Sequence, residues 1–285
     1  MAVLHLGKSN IMISLDNETL RKLQLIELEM LIEVDRICKK KDIKYTLIGG
    51  TLLGAVRHGG FIPWDDDADV AMLRPEYEKF CEACNKDLNE QKFYFQNIDR
   101  TPGYRWGYAK LRRKGTLFLR ENQEHMDYEQ GVFLDIFPID GTPDNRFLRR
   151  IHDFRCFCVR KMLWSAVGKK SASSFWERAI YKVLYMIPED TVKKWYRGLI
   201  LKKGADSTEI VRTLTFPAPK KLHGYYRRWF LETDIIMFEG FHFEGIKDYR
   251  EWLTYEFGDY MQIPPESERK AHPVTGIKLV DSILD

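Results

Sequence analysis

The chain has 285 residues, 45 basic against 42 acidic, a formal net charge of +3 and 44% hydrophobic residues. That length allows one large domain or a domain with an added lobe, and so small a charge surplus gives no reason to expect a nucleic-acid partner. Five cysteines in no even framework point to a reducing cytoplasm; no window approaches the ~20 apolar residues that span a bilayer, and the N-terminus lacks the pattern of a secretory signal.

In chain order, Asp16 suits the N-cap of a helix in which Leu20, Leu23, Ile26, Met30, Leu31, Val34 and Ile37 recur at helical spacing, ending in the basic run 39–41. Residues 43–48 read as a strand stopped by Gly49 and Gly50, and Thr51 can cap a short helix that runs to His58. Gly59, Gly60 and Pro63 force a loop before the acidic run Asp65 to Asp69, which passes into an apolar strand over 70–73. Pro75 fits the first turn of a further helix, with Tyr77, Phe80, Cys81, Cys84 and Leu88 on one stripe. Strand-like runs follow at 93–97, 104–112 and 116–120, the last two joined by a turn at Lys114-Gly115, and at 131–137, where Pro138 is expected to stop the strand. These elements predict a mixed sheet of about five strands. From Pro143 to about Lys203 the segments are helical, basic and aromatic together; short strands at 211–216 and 235–243, a helix at 247–257 and a proline-rich tail complete the chain. The expected organisation is a catalytic core over 1–142, a helical acceptor or membrane-facing lobe over 143–210, and a segment over 211–285 that packs back on the core.

Asp65, Asp66, Asp67 and Asp69 place four carboxylates within five residues, which is costly unless something positive compensates them. Strand residues i and i+2 share a face, so Asp67 and Asp69 can reach one Mg²⁺ ion, or Mn²⁺, while Ala68 faces away. Asp65 and Asp66 then belong to the preceding loop. The plain alternative is a solvated acidic turn. What weighs against it is context: the acids follow the apolar FIPW and run straight into an apolar strand, and upstream the Gly49-Gly50 turn offers backbone N–H groups at a helix start, where phosphate binds well.

Strand, Gly-Gly, helix and then Asp-x-Asp on the next strand resemble the nucleotidyltransferase fold, so the expected class is α/β, a nucleotidyltransferase-like mixed sheet with a helical lobe. That fold adds a third carboxylate from a later strand, and Asp135 in GVFLDIFP matches it. More narrowly, LIGGTLLGAVRHGGFIPWDDDADV, KLRRKGT, FLDIFPID and YEFGDYMQIPPESERKAH are similar to the LicD family, which transfers phosphocholine from CDP-choline to glycans and includes the fukutin-related ribitol-phosphate transferases. The resemblance implies a CDP-linked donor, a cell-surface glycan, lipid-linked glycan or teichoic acid precursor as acceptor, and attack of its hydroxyl on the donor phosphorus with CMP leaving. It implies a metal held by Asp67, Asp69 and Asp135, with one of these or Asp66 taking the hydroxyl proton and Asp135 preferred.

Donor contacts are expected from Gly49, Gly50 and Thr51 at the turn, from Arg57 and His58 at the end of its helix, from Trp64 by stacking or cation–π contact, and from Lys110 and Arg112, which alternation puts on one strand face. Each has a plain alternative: cations at a helix end complement its dipole, basic strand residues are often solvated edges, and a tryptophan is most often core. Cys81 and Cys84, like Cys156 and Cys158, fall on amphipathic helices, so core packing is expected and zinc is not; His272 reads as structural. The basic, aromatic lobe suits either a solvated surface or a membrane interface, and a lipid-linked acceptor favours peripheral contact at the inner face of the membrane. Rival readings are a nucleotidyltransferase moving a nucleotide from an NTP to a small molecule or sugar, and a catalytically silent glycan- or membrane-binding protein that kept the fold. A cluster of mutually repelling acids weighs against the second.

Overall fold

The computed structural model describes residues 13–201, 207–219, 223–269 and 271–281. The N-terminal stretch that lacks a secretory-signal pattern falls mostly in residues 1–12, outside the described residues, as does the expected end of the helical segments near Lys203.

Helix α1 (Asn17–Lys41) starts where the sequence indicates, with the Asp16 carboxylate accepting the Thr19 N–H at 2.7 Å. Strand β1 (Thr46–Leu47) is shorter than expected, because Ile48 already serves as the N-cap of α2 (Gly49–His58). Strand β2 (Asp69–Leu73) leads into α3 (Arg74–Asp87), with proline in its first turn. Strands β3 (Phe93–Gln96), β4 (Ala109–Arg113), β5 (Leu117–Arg120) and β6 (Phe133–Gly141) follow. Helices α4 (Arg146–Ser171), α5 (Phe175–Tyr185) and α6 (Glu189–Arg197) form the lobe. The chain then gives β7 (Ile210–Arg212), β8 (Tyr225–Tyr226), β9 (Thr233–Phe238), β10 (Phe241–Ile246), α7 (Tyr249–Phe257) and β11 (Val274–Lys278).

The architecture is mixed α/β, as expected, but the sheet is larger. Among the described residues it has nine strands, in the order β3-β4-β6-β2-β1-β10-β9, with β7 pairing to β6 and β8 to β7. The run 235–243, expected as one strand, is instead a hairpin: Glu239 and Gly240 both have positive φ, 52° and 80°, which turns β9 back into β10. The turn at Gly115 (φ 80°) exists, yet β4 and β5 do not pair. β5 joins β11 from the far end of the chain in a separate two-stranded sheet.

Pro138 does not stop β6. The Asp135 N–H donates to Ala68 O at 2.9 Å, so by alternation the nitrogen of Pro138 faces the opposite edge. On that edge β4 ends at the Ala109–Ile136 pair and β7 begins at the Asp140–Arg212 pair. The missing donor falls in the gap between them, where no ladder bond is lost.

Helices α1 and α3 pack on each other and on the sheet around β6, burying the apolar stripe of α1 in the main core. A second, smaller cluster packs Cys156, Val159, Leu163, Val192 and Tyr196 of the lobe helices against Ile98 and Leu214 from outside them. Core and lobe are tied by a buried group: Arg74 makes a bidentate pair with Asp140 at 2.7 and 2.6 Å and also donates to Tyr196 Oη, which in turn donates to Gly107 O.

Candidate active site

Three chemically active side chains come from neighbouring strands at one level. In the parallel β2/β6 pair Asp69 lies opposite Asp135, and in the antiparallel β4/β6 pair Lys110 lies opposite Asp135. Asp67 precedes β2 in the loop rather than lying on the strand, but the alternation foreseen for it holds, with Ala68 fully buried between the two acids. All four face a cleft of about 440 Å³ between the sheet and the lobe. Arg120, Arg160 and Lys161 add positive charge to this cleft, His272 borders it, and Trp106, Tyr108, Trp164 and Phe216 supply apolar wall.

The Gly49-Gly50 turn closes on the same acids. Gly49 has φ +57°, and a Cβ there would lie 2.9 Å from Asp69 Oδ2; a Cβ on Gly50 would lie 2.4 Å from Asp65 Oδ2. Two glycines therefore let both carboxylates approach the start of α2, where no side chain caps the helix among the described residues. Thr51 contributes differently from the expectation: it is buried, and its Oγ1 accepts the Asp69 N–H at 2.8 Å, fixing the acid. Gly49 also lines a second recess of about 290 Å³ with Arg212 and Thr213, which meets the main cleft at Asp69, Phe137, Phe216 and Pro217.

The sequence reading missed Glu27. It is 1% exposed on α1, and its Oε2 has no hydrogen-bond partner among the described residues. Burial, reinforced by the carboxylates of Asp67, Asp66, Asp65 and Asp69, pushes its pKa well above the usual range. The signal was present, since Glu27 lies one turn from both Leu23 and Leu31 and so interrupts the apolar stripe with an acid. Burial, and then Asp67 and Asp66, push Asp65 up to about 8. Asp69 is held well above its usual value by burial, then by Asp67 and Asp135, and burial raises Asp67 although His272 draws it down. On the positive side, Lys110 donates to Asp135 Oδ1 and sits over the Phe133 ring at 3.4 Å; burial brings its pKa down to about 7. Carboxylates thus outnumber the cations beside them, and an orphaned carboxylate oxygen lies behind the cluster. This donor set of hard oxygens fits a divalent cation.

The remaining candidates divide between the cleft and contacts outside it. Among the described residues, Asp66, Asp67 and His272 form the one cluster of three or more such side chains whose ligand atoms all approach one another closely enough for a metal. There Asp66 already accepts the His272 backbone N–H at 2.9 and 3.1 Å and contacts its Nδ1 at 3.1 Å, so it pins the C-terminal tail to the acidic loop. Arg57 donates to the Tyr260 and Gln262 carbonyls and to His58 Nε2, away from the cleft. The ring of Trp64 is covered by the Arg269 guanidinium at 4.3 Å. Arg112 is buried and donates to Gln96 Oε1 and Gly131 O, both at 2.7 Å. Cys84 and Cys156 are buried, and Cys81 contacts Asn97 Nδ2 at 3.7 Å.

Comparison with known proteins places this geometry in context. Residues 42–157 match the nucleotidyltransferase domain of the LicD/FKTN/FKRP family. Over 265 residues the chain is 29% identical to the lipopolysaccharide cholinephosphotransferase LicD of Haemophilus influenzae, covering 90% of this chain and 96% of that protein. Uncharacterised proteins of Rickettsia prowazekii and Rickettsia typhi are each 42% identical over 48 residues, 17% of this chain and 18% and 16% of theirs.

Proposed function

This chain belongs to the LicD family of phosphotransferase enzymes, and from that premise we propose that it moves phosphocholine, or a similarly substituted phosphate, from a CDP-linked donor to a glycan hydroxyl. The observation that carries the reading is the row Asp69, Asp135 and Lys110 across three adjacent strands, with the Gly49 turn closed against Asp69. In the reaction the acceptor oxygen forms a bond to the donor phosphorus, the bond from that phosphorus to the oxygen of CMP breaks, and CMP departs. Catalysis of such a step is mostly positioning and charge neutralisation. Asp67, Asp69 and Asp135 would hold Mg²⁺ or Mn²⁺, which supplies charge neutralisation to the diphosphate.

The chain's own residues do the remainder. Asp135 is our choice for the acceptor proton, and Lys110 orients its carboxylate. The start of α2, uncapped by any side chain among the described residues, offers its N–H groups beside the Asp69 carboxylate, where donor phosphate would bind. Arg120 and Arg160 face the same cleft and balance developing phosphate charge. The aromatic wall keeps water from competing with the acceptor hydroxyl.

A thermal-shift screen in Mg²⁺ tests the reading, with CDP-choline, CDP-ribitol, CDP-glycerol and NTPs as ligands. Stabilisation by a CDP-linked compound is expected. Stabilisation by NTPs alone would favour nucleotide transfer with pyrophosphate release and overturn the proposal.

A further inference from the structure

The lobe has features that the cleft chemistry does not use. Between Pro143 and Leu201 there are 13 basic and five acidic residues, a net charge of +8, against +3 for the whole chain, so the rest of the protein is net negative. Along α5, Trp176, Ile180 and Val183 recur at spacings of four and three, which is one helix face, and Met186 follows three residues on. These four are among the most exposed apolar side chains of the molecule, from 59% for Ile180 to 80% for Met186. Phe147, Ile151 and Phe154 of α4 are also exposed at helical spacing. Among the described residues no helix is long and apolar enough to cross a membrane.

Met186 also lines a pocket of about 300 Å³ that lies outside the cleft and holds three basic side chains, Arg105, His125 and Lys169. Arg105 is 6% exposed, and among the described residues neither its Nε nor its Nη2 has a hydrogen-bond partner. Its guanidinium lies 5.4 Å from the centre of the Tyr185 ring, and Lys169 Nζ lies over the same ring at 3.0 Å. Of the acids at this pocket, Glu189 is paired with Lys193 at 2.8 Å and attracts Arg105 through space without a hydrogen bond to it, and Asp127 is exposed. A buried guanidinium with unmet donors favours an anionic oxygen ligand. Side by side, the pocket and the apolar face of α5 offer an anion site next to a surface that prefers hydrocarbon.

We propose that α5 docks on a bilayer rich in anionic phospholipid, with Trp176, Ile180 and Val183 entering the acyl boundary and a lipid phosphate in the Arg105–Lys169 pocket. A large apolar face with a basic surround lies in the plane of such an interface and adds electrostatic attraction to burial. Docking of this kind is independent of which headgroup the enzyme transfers.

Vesicle co-sedimentation of the full chain tests it, using phosphatidylcholine vesicles with or without about 30% phosphatidylglycerol. Wild type should sediment with the anionic vesicles and be released at about 0.5 M salt. The double variant Trp176→Ser/Ile180→Ser should bind at least roughly tenfold more weakly with an unchanged melting temperature, because both side chains are exposed. Arg105→Gln should lower affinity severalfold, and Lys169→Gln reports on the same pocket should Arg105→Gln fold poorly. Three results would each overturn the proposal: no sedimentation of wild type, equal binding to neutral vesicles, or full binding by the Trp176/Ile180 variant. A concentration-dependent dimer abolished by that variant, with no vesicle binding, would assign the face to a second copy of the chain instead.

Discussion

The Arg74–Asp140 pair offers a direct check on how the lobe is fixed to the core. Side chains of both residues are almost completely buried, at 9% and 2% exposure, and Asp140 lies on β6 only five residues from Asp135. Arg74→Met keeps the aliphatic stem but leaves the Asp140 carboxylate in the interior with neither of its two charged hydrogen bonds. Breaking a buried pair in this way costs about 3–5 kcal/mol. Tyr196 retains its 2.7 Å bond to Gly107 O, so the loss is concentrated on Asp140. For a chain of this size the melting temperature should fall by on the order of 10 °C, and urea unfolding should show the same loss with an unchanged slope. In Arg74→Met/Asp140→Leu the orphan charge is gone, and most of the stability should return. A single variant within about 1 kcal/mol of wild type would refute the reasoning, since the pair would then be behaving as a solvated surface contact.

Gly49→Ala should cost about 1–2 kcal/mol through its left-handed backbone, while activity falls by roughly two orders of magnitude because the new methyl displaces the Asp69 carboxylate; activity within twofold of wild type would contradict the cradle. Lys110→Met should lower kcat by about a hundredfold, as Asp135 loses the cation that orients it; an effect under threefold would remove Lys110 from the machinery. Because Glu27, Asp65, Asp67 and Asp69 all have folded pKa values raised above their unfolded ones, their protonated forms favour the folded state. That contribution is complete below about pH 4 and is lost as pH rises through the folded values, with Asp65 at about 8. Thermal melts of chelator-treated protein should therefore decline between about pH 5 and pH 9, and Mg²⁺ or Mn²⁺ should restore stability most at the alkaline end; a flat profile insensitive to divalent ions would oppose the metal assignment.

Local signals read well from the sequence. The Asp16 cap, the Gly49-Gly50 turn and the Asp-x-Asp alternation all depend on neighbouring residues, so spacing alone exposed them. Less legible were features set by distant partners. Pro138 looked like a strand terminator because its harmlessness depends on where β4 ends and β7 begins, which nothing in GVFLDIFPID records. The β5–β11 pairing joins residues more than 150 positions apart, and a local turn at Gly115 suggested a hairpin instead. At the site, Arg57, Trp64 and Arg112 had the right chemistry near the right motif. Their side chains meet the Tyr260 carbonyl, the Arg269 guanidinium and the Gly131 carbonyl respectively, partners that no spacing predicts. Glu27 was legible in principle, as an acid interrupting the buried stripe of α1.

The most direct test of the central claim is product analysis of the purified enzyme with CDP-choline, a glycan acceptor and Mg²⁺. The account predicts CMP release matched by phosphocholine on the acceptor, with both lost in Asp67→Asn. Pyrophosphate release from an NTP in place of CMP, or CMP release undiminished in Asp67→Asn, would contradict it.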